Sequence, residues 1–427
     1  MRAATLPYAR SPLGQGFSLN TESRFGLFDL FMLFLITGPL LGTFFPLEGY
    51  FGTRMPNGEL YLYPFPFAAL TQLVMTGTLI ALVFKVRKPK VPLAPFLYMG
   101  CVLFSVIYFS LTGSVAMRAL RLIPDIGLAI MLPQLYSREK LVRMLCVAFA
   151  VSAICSIAAC LLLPTYAIGG LGGAYTDSWK GALPHKNACG FVYGMGIAII
   201  LAAAMSGTIK KLWAGIFILP CLFMLVMSQS FSPVASSAVA MAATVIAVGL
   251  RRTPSHLSLL IFCVTLFIAI DLVFFVVVQS ETVADLIGRD LTFTGRTDIW
   301  AAVTPIAIEN PLVGHGYNFW ANDTAERFRV WSEVQDKVAH SHNSWLDLLL
   351  QMGIAPILIL LYMLGKGIFK NFALYREGEG AALPFFTIAF FFAIYSLTEV
   401  AFSPPSTVGI FWLTLAMMTR GKPATTG

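Results

Sequence analysis

Apolar positions in this chain form long unbroken runs, neither the alternation of a half-buried strand nor the single stripe of a surface helix. The stretch "FCVTLFIAIDLVFFVVV", 262–278, has one polar break at Asp271. Runs of about 17 to 25 residues match the hydrocarbon thickness of a bilayer. Only helices and closed barrels satisfy the backbone in lipid, and barrel strands would alternate over about ten residues. The runs therefore predict an all-α, polytopic membrane protein with about twelve spans, near 26–46, 65–85, 92–112, 116–136, 143–163, 187–206, 212–228, 233–250, 257–279, 345–365, 382–402 and 405–419. The first run begins near Leu27, with no small-residue cleavage site after it, and reads as a span, not a signal peptide. The 233–250 run is rich in Ala, Ser and Val, a composition for close helix packing inside a bundle. No internal repeat is evident, and 1–427 reads as a single integral membrane domain.

The polar positions between the runs orient it. Basic clusters stand at Lys85, Arg87, Lys88 and Lys90; at Arg138, Lys140 and Arg143; at Lys210 and Lys211; at Arg251 and Arg252; at Lys366, Lys370 and Arg376; and at Arg420 and Lys422. Each is separated from the next by two apolar runs, the positive-inside pattern, with both termini cytoplasmic. The outer connections are then 47–64, 113–115, 164–186, 229–232, 280–344 and 403–404. The segment 280–344 is predicted to be a large outer loop and 164–186 a second one. Within the former, "RTDIWAAVTPIAIENP" predicts a helix lying across the membrane surface, "GHGYNFW" a turn, and "DTAERFRVWSEV" a further helix. A connection of that length with internal structure is usually functional.

Composition sharpens the picture. The chain is 57% hydrophobic and 12% charged, with a mean hydropathy of +0.78. A net charge of +8 whose basic clusters fall in short loops does not indicate nucleic acid. The seven cysteines lie in or beside apolar runs without a C-x-x-C, so neither a disulfide framework nor a zinc site is expected. No carboxylate pair is placed for glycosidase chemistry and no D-x-D-like element for a metal. Neither metal nor cofactor is expected.

Candidate chemistry collects on the outer side. Of five histidines, His185, His315, His340 and His342 fall in the two long outer loops; His256 does not. In "AHSHNSW", Ser341 or Asn343 can simply cap the next helix. Two histidines with Asn343, and Asp347 a turn later, point instead to function. A neutral imidazole is a natural general base near neutral pH. In "GRTDIW", Arg296 opens a helix; it is either a solvated start or a guanidinium aimed at phosphate. His185, Lys186 and Asn187 stand where the chain re-enters the membrane, suited to anchoring or to ligand binding. Arg118 and Arg121 lie one turn apart near the outer end of a span, where charge is costly, and either snorkel or bind. "GHGYNF" is no dinucleotide site, since no strand precedes it, and His315 in that turn stays ambiguous. Basic residues and imidazoles on the outer face suit an anionic ligand.

Taken in order, "WKGALPHKN", "GRTDIWAAVTPIAIENPLVGHGYNFW" and "HSHNSWLDLLLQMG" resemble the O-antigen ligase and Wzy-type polysaccharide polymerase superfamily, particularly its exopolysaccharide-polymerase-like branch. The matches span about 179 to 353; the first five spans match in hydropathy alone. The resemblance implies a metal-independent bacterial inner-membrane glycosyltransferase of GT-C type, with its active site facing the periplasm. It would move a glycan from undecaprenyl pyrophosphate to an acceptor glycan: the next lipid-linked repeat unit for a polymerase, lipid A-core for a ligase. A flippase and a chain-length regulator are implied partners. Carried over by position, the essential histidine is His342, with His340 beside it, and the loop arginine is Arg296. A further arginine is expected where Phe231 stands in "SQSFSPVASS". That leaves Arg118, Arg121 or Lys186 to supply the charge, or the pyrophosphate to be held differently. The "WKG…HKN" element favours the polymerase. A lipid-linked oligosaccharide flippase also suits about twelve spans, but such proteins gather polar residues at the midplane, often in repeated halves.

Overall fold

In the computed structural model, residues 26–41, 65–86, 89–111, 113–169, 178–278, 295–404 and 406–418 are described. Among them there is no β-strand beyond two isolated bridges, Ile168 with Trp179 and Ser403 with Ser406. The helices are α1 (Leu27–Leu35, continued as a π-helical turn, Ile36–Leu40), α2 (Phe65–Lys85), α3 (Leu93–Tyr108), α4 (Ser114–Leu135), α5 (Arg138–Leu162), α6 (Lys186–Met205), α7 (Lys211–Met227), α8 (Phe231–Gly249), α9 (Ser255–Val278), α10 (Arg296–Glu309), α11 (Ala325–Val334), α12 (Ser344–Met352), α13 (Ile354–Arg376), α14 (Leu383–Tyr395) and α15 (Val408–Met418). A single turn, Pro164–Ala167, follows α5. Parts of the expected loops, 47–64, 170–177 and 279–294, lie outside the described residues, as do Arg87, Lys88, Arg420 and Lys422.

Among the described residues, four helices are long and apolar enough to cross a membrane: Arg138–Leu162, Lys186–Met205, Phe231–Arg252 and Ile354–Arg376. Helices α14 and α15 are buried on every side. The sequence of α14, "LPFFTIAFFFAIY", has no polar face to offer, and its rings pack on Phe191 of α6. Around that centre, α2, α3, α7 and α9 turn large apolar side chains outward, among them Leu73, Ile107, Leu219 and Phe267. An apolar perimeter of this kind suits lipid, not water. Helix α8 presents Ser236, Ser237, Ala240, Ala243 and Thr244 inward, and the Thr244 and Thr387 hydroxyls meet at 2.7 Å across its contact with α14.

The basic connections cluster at one end of the bundle. Arg143 donates to the Thr208 carbonyl, Arg376 donates to that of Thr253 at 2.6 Å, and Arg138 pairs with Glu379. The N-termini of α6, α8 and α12 and the C-terminal end of α14 lie at the opposite end, joined by contacts described below. The charge segregation read in the loops is thus a two-ended arrangement of the fold.

The expected span 345–365 is broken. Helix α12 stops at Met352 and α13 starts at Ile354, with Gly353 between them at φ +75. A Cβ there would lie 2.3 Å from the Leu312 carbonyl oxygen, so only glycine fits. The opened backbone is repaired by the preceding loop: Ile354 N–H donates to Pro311 O, His315 N–H to Leu350 O and Gly316 N–H to Gln351 O. Gly314 makes the reciprocal close approach, where a Cβ would meet the Gln351 carbonyl carbon at 2.5 Å. Helices α10 and α11 form over the residues expected for them, and Ile299, Val303, Ile306, Phe319, Trp320, Val330 and Leu350 build a second small core. The described part of the loop, 295–344, is therefore a packed lid on the end of the bundle that carries the histidines. Buried Asp347 ties it down, accepting from Ser341 N–H at 3.0 Å and Trp320 Nε1–H at 3.2 Å.

Candidate active site

The site forms where five chain segments converge. Asn343 caps α12, its Oδ1 accepting from Trp345 N–H and Leu346 N–H at 3.0 and 3.1 Å. The helix therefore begins after "HSH", and both histidines precede it. His342 has φ +53, the left-handed region that a non-glycine residue seldom occupies. Such strain persists only where surroundings enforce it. Here Ser344 supplies the constraint: its N–H donates to Ser396 O, and its hydroxyl donates to Glu399 O while accepting from Ala401 N–H. The consequence is that the two imidazoles meet edge to face, ring centres 3.9 Å apart and planes at 60°. His340 Nδ1 accepts the His342 backbone N–H at 3.2 Å, which places the proton of neutral His340 on Nε2.

Next to them lies Glu399, a buried carboxylate four residues beyond the end of α14. The expected boundary of that span, 402, runs seven residues past the observed helix end, so Glu399 stands in the loop and not in the span. One oxygen lies 3.4 Å from His342 Nδ1. The other accepts from Arg296 Nη2 at 2.8 Å and from Asn187 Nδ2 at 3.4 Å. Arg296 is itself almost fully buried, donating also to the Thr398 carbonyl and to Ser232 Oγ at 3.4 Å. Asn187 accepts from Ser230 Oγ–H at 2.8 Å, joining α6 to the start of α8.

The charges follow from that packing. Burial by itself would push the Glu399 carboxyl up; Arg296, with His342 and His340, overrules it and holds the carboxyl well below the usual carboxylate range. Burial pushes His340 down to about 3, and His342 pushes it the same way. His185, the residue capping α6 through its Nδ1, keeps an exposed edge. Burial lowers its pKa too, against the pull of Glu399 and with Lys186, Lys180 and His342 adding to the fall. His185 and His340 are thus neutral donors at pH 7, while Lys180 and Lys186 bring positive charge to the same neighbourhood. Lys180 is held by backbone pairing of 178–181 with Ala167 and Met227.

The sequence candidates separate accordingly. His342, His340, Arg296, Asn187, His185 and Lys186 come together. Asn343 belongs to the same turn, but its side chain is consumed by capping. His315 lies elsewhere, its Nε2 2.7 Å from the Ile306 carbonyl, clasping the turn to α10. Arg118 and Arg121 sit on α4, Arg118 acting on Tyr317 and Arg121 on Asp125. Phe231 is half-buried at the start of α8, and its flanking serines, not a cation, face Asn187 and Arg296. The residue that sequence reasoning missed is Glu399. A lone carboxylate in "AIYSLTEVAF" was the available signal, since an ionisable group at the end of an apolar run is seldom idle. Among the described residues no three His, Cys, Asp or Glu side chains are arranged as a metal cage.

A helical membrane bundle with a buried Arg–Glu–His chain at one end is the class that fold and site define. Residues 215–361 match the family Wzy_C, O-antigen ligase. The chain is also 27% identical over 276 residues to the exopolysaccharide production protein ExoQ of Rhizobium meliloti (strain 1021), a match covering 61% of this chain and 62% of that protein. Both similarities point to the O-antigen ligase and Wzy-type superfamily.

Proposed function

We propose that the chain is a polysaccharide polymerase of the bacterial inner membrane, a single GT-C-like domain of about twelve spans with both termini cytoplasmic and 280–344 and 164–186 in the periplasm. Its donor is a glycan repeat unit on undecaprenyl pyrophosphate, its acceptor the sugar hydroxyl of another lipid-linked unit, and it works with a flippase and a chain-length regulator. The observation that carries the reading is the gathering of His342, Glu399, Arg296 and Asn187 from separate segments at the end of the bundle away from the basic loops.

In the reaction the acceptor oxygen bonds to the donor's anomeric carbon as the carbon–oxygen bond to phosphate breaks. The electron pair leaves with the pyrophosphate, and the hydroxyl proton passes to His342. Lys186 and Lys180, with the His185 and His340 N–H groups, stabilise the leaving anion. No step calls on a metal. The ExoQ relative, by its name, favours polymer formation, while the family description keeps the O-antigen ligase as the second reading. A flippase fits less well, since the polar groups collect at one end of the bundle. Deleting the gene distinguishes these. A polymerase leaves single lipid-linked repeats exposed in the periplasm. A ligase leaves full-length polymer still on its lipid, and a flippase leaves repeats confined to the cytoplasmic face.

A further inference from the structure

We infer that Glu399 is a positioning residue that sets the tautomer of His342, and that Arg296 acts through Glu399, as the clamp on that carboxylate. The inference rests on the transferase reading for its catalytic meaning, but the tautomer itself does not.

The geometry is directional. A carboxylate only accepts, so the nitrogen of His342 that faces it, Nδ1, is the protonated one. The other nitrogen, Nε2, then carries the lone pair and faces away from the protein anchor. Without such a partner the proton can sit on either nitrogen, and the Nε2-protonated form offers no base on the reacting side. The 3.4 Å separation is at the long end for a hydrogen bond, as is common before substrate closes a site. When His342 takes a proton it becomes a cation beside Glu399, which stabilises it.

Arg296 completes the arrangement. Its guanidinium spends Nη1 on the Thr398 carbonyl and Nη2 on Glu399 and Ser232. Those partners are the carboxylate, the residue before it in the chain, and the first turn of α8. The fork thus fixes both the charge state and the rotamer of Glu399, and it is committed to protein groups, not to a ligand. Asn187 adds a second donor to the same oxygen. The chain runs Arg296, Glu399, His342, and its last member is the part-exposed one, 27% against 2% and 5% for the other two side chains.

Glu399→Gln tests this with a predicted sign. Arg296 requires an acceptor, so the new amide turns its oxygen to the guanidinium and its NH2 toward His342. Nδ1 must then accept, and the proton moves to Nε2, which removes the lone pair from the reacting side. The readout is the nitrogen spectrum of full-length protein carrying 15N-imidazole histidine, in nanodiscs at pH 8, with His342 assigned by comparison with His342→Asn. The expected result is an Nδ1-protonated ring in the wild type and an Nε2-protonated ring in Glu399→Gln, with Glu399→Asp returning toward the wild type. Turnover with lipid-linked donor extracted from the native membrane should fall about 10²–10⁴-fold in kcat for Glu399→Gln, the range for a general base, with KM for the donor changed little. A wild-type ring protonated on Nε2, or the same tautomer in wild type and Glu399→Gln, overturns the inference. So does a Glu399→Gln rate loss no greater than its loss of folded protein. Absence of transfer by the wild type would sink the transferase reading and leave the tautomer result standing.

Discussion

Replacing Arg296 with methionine strips the positive charge from a carboxylate that has no water to turn to. Arg296 is 2% exposed and Glu399 is 4% exposed. Breaking one side of a buried ion pair costs about 3–5 kcal/mol, whereas replacing both partners with apolar groups of similar volume is often neutral or stabilising. Arg296→Met should therefore be severely destabilised, and Arg296→Met with Glu399→Leu should recover most of the loss while remaining inactive. The single variant has a pH signature. Its Glu399 loses the guanidinium that held the carboxyl down, so burial raises the folded pKa above the unfolded one. Its stability is retained below the unfolded value and declines as pH rises through the new folded value, the reverse of an ordinary paired carboxylate. The assay is the thermal midpoint of purified protein in one detergent, from pH 5 to 8, for wild type, both single variants and the double variant. A single variant as stable as wild type at pH 8, or a double variant no better than the single, would refute the claim that this pair is desolvated.

Histidine burial sets an acid limit: His340 is held down to about 3 by burial, so the unfolded chain binds its proton first and stability falls as pH drops below the unfolded value. Relative to His340→Asn, wild type should lose at most about 2 kcal/mol between pH 6.5 and 5, read from denaturation midpoints. Gly353→Ala meets both φ +75 and the Leu312 carbonyl. The backbone conformation alone costs about 1–3 kcal/mol, so less folded protein should survive heating, and unchanged survival would count against the broken helix. In a background with the native cysteines replaced, Ser332→Cys on α11 should react with an impermeant thiol reagent on intact cells, and Pro254→Cys only after permeabilisation. The reverse pattern ends the periplasmic assignment.

The helices were legible because lipid-length apolar runs leave few alternatives, and the basic loops located the two ends of the bundle. Helices α10 and α11 were legible too, from the period of their apolar residues. The break at Gly353 was not, since its cause is the Leu312 carbonyl approaching from 41 residues away in sequence, a contact that no local pattern encodes. His340 and His342 stood out by their spacing, yet their edge-to-face contact depends on the positive φ of His342 and on Ser344 bonding to Glu399. Arg296 looked like a cation waiting for phosphate because a helix start offers no hint of a distant carboxylate. Its partner was hidden as one acidic residue in "SLTEVAF", close to where an apolar run ends. His315 shows the opposite error: a histidine in a glycine turn drew interest for chemistry and serves to fasten that turn.

The account stands or falls on His342 as the base of a metal-independent transfer. The direct measurement is glycan transfer by purified protein from lipid-linked donor, comparing wild type with His342→Ala at matched amounts of folded protein, each with and without chelator. The predicted result is wild-type activity indifferent to chelator and a loss of about 10²–10⁴-fold in His342→Ala. Equal rates for the two proteins, or wild-type activity abolished by chelator and restored by a divalent ion, would contradict it.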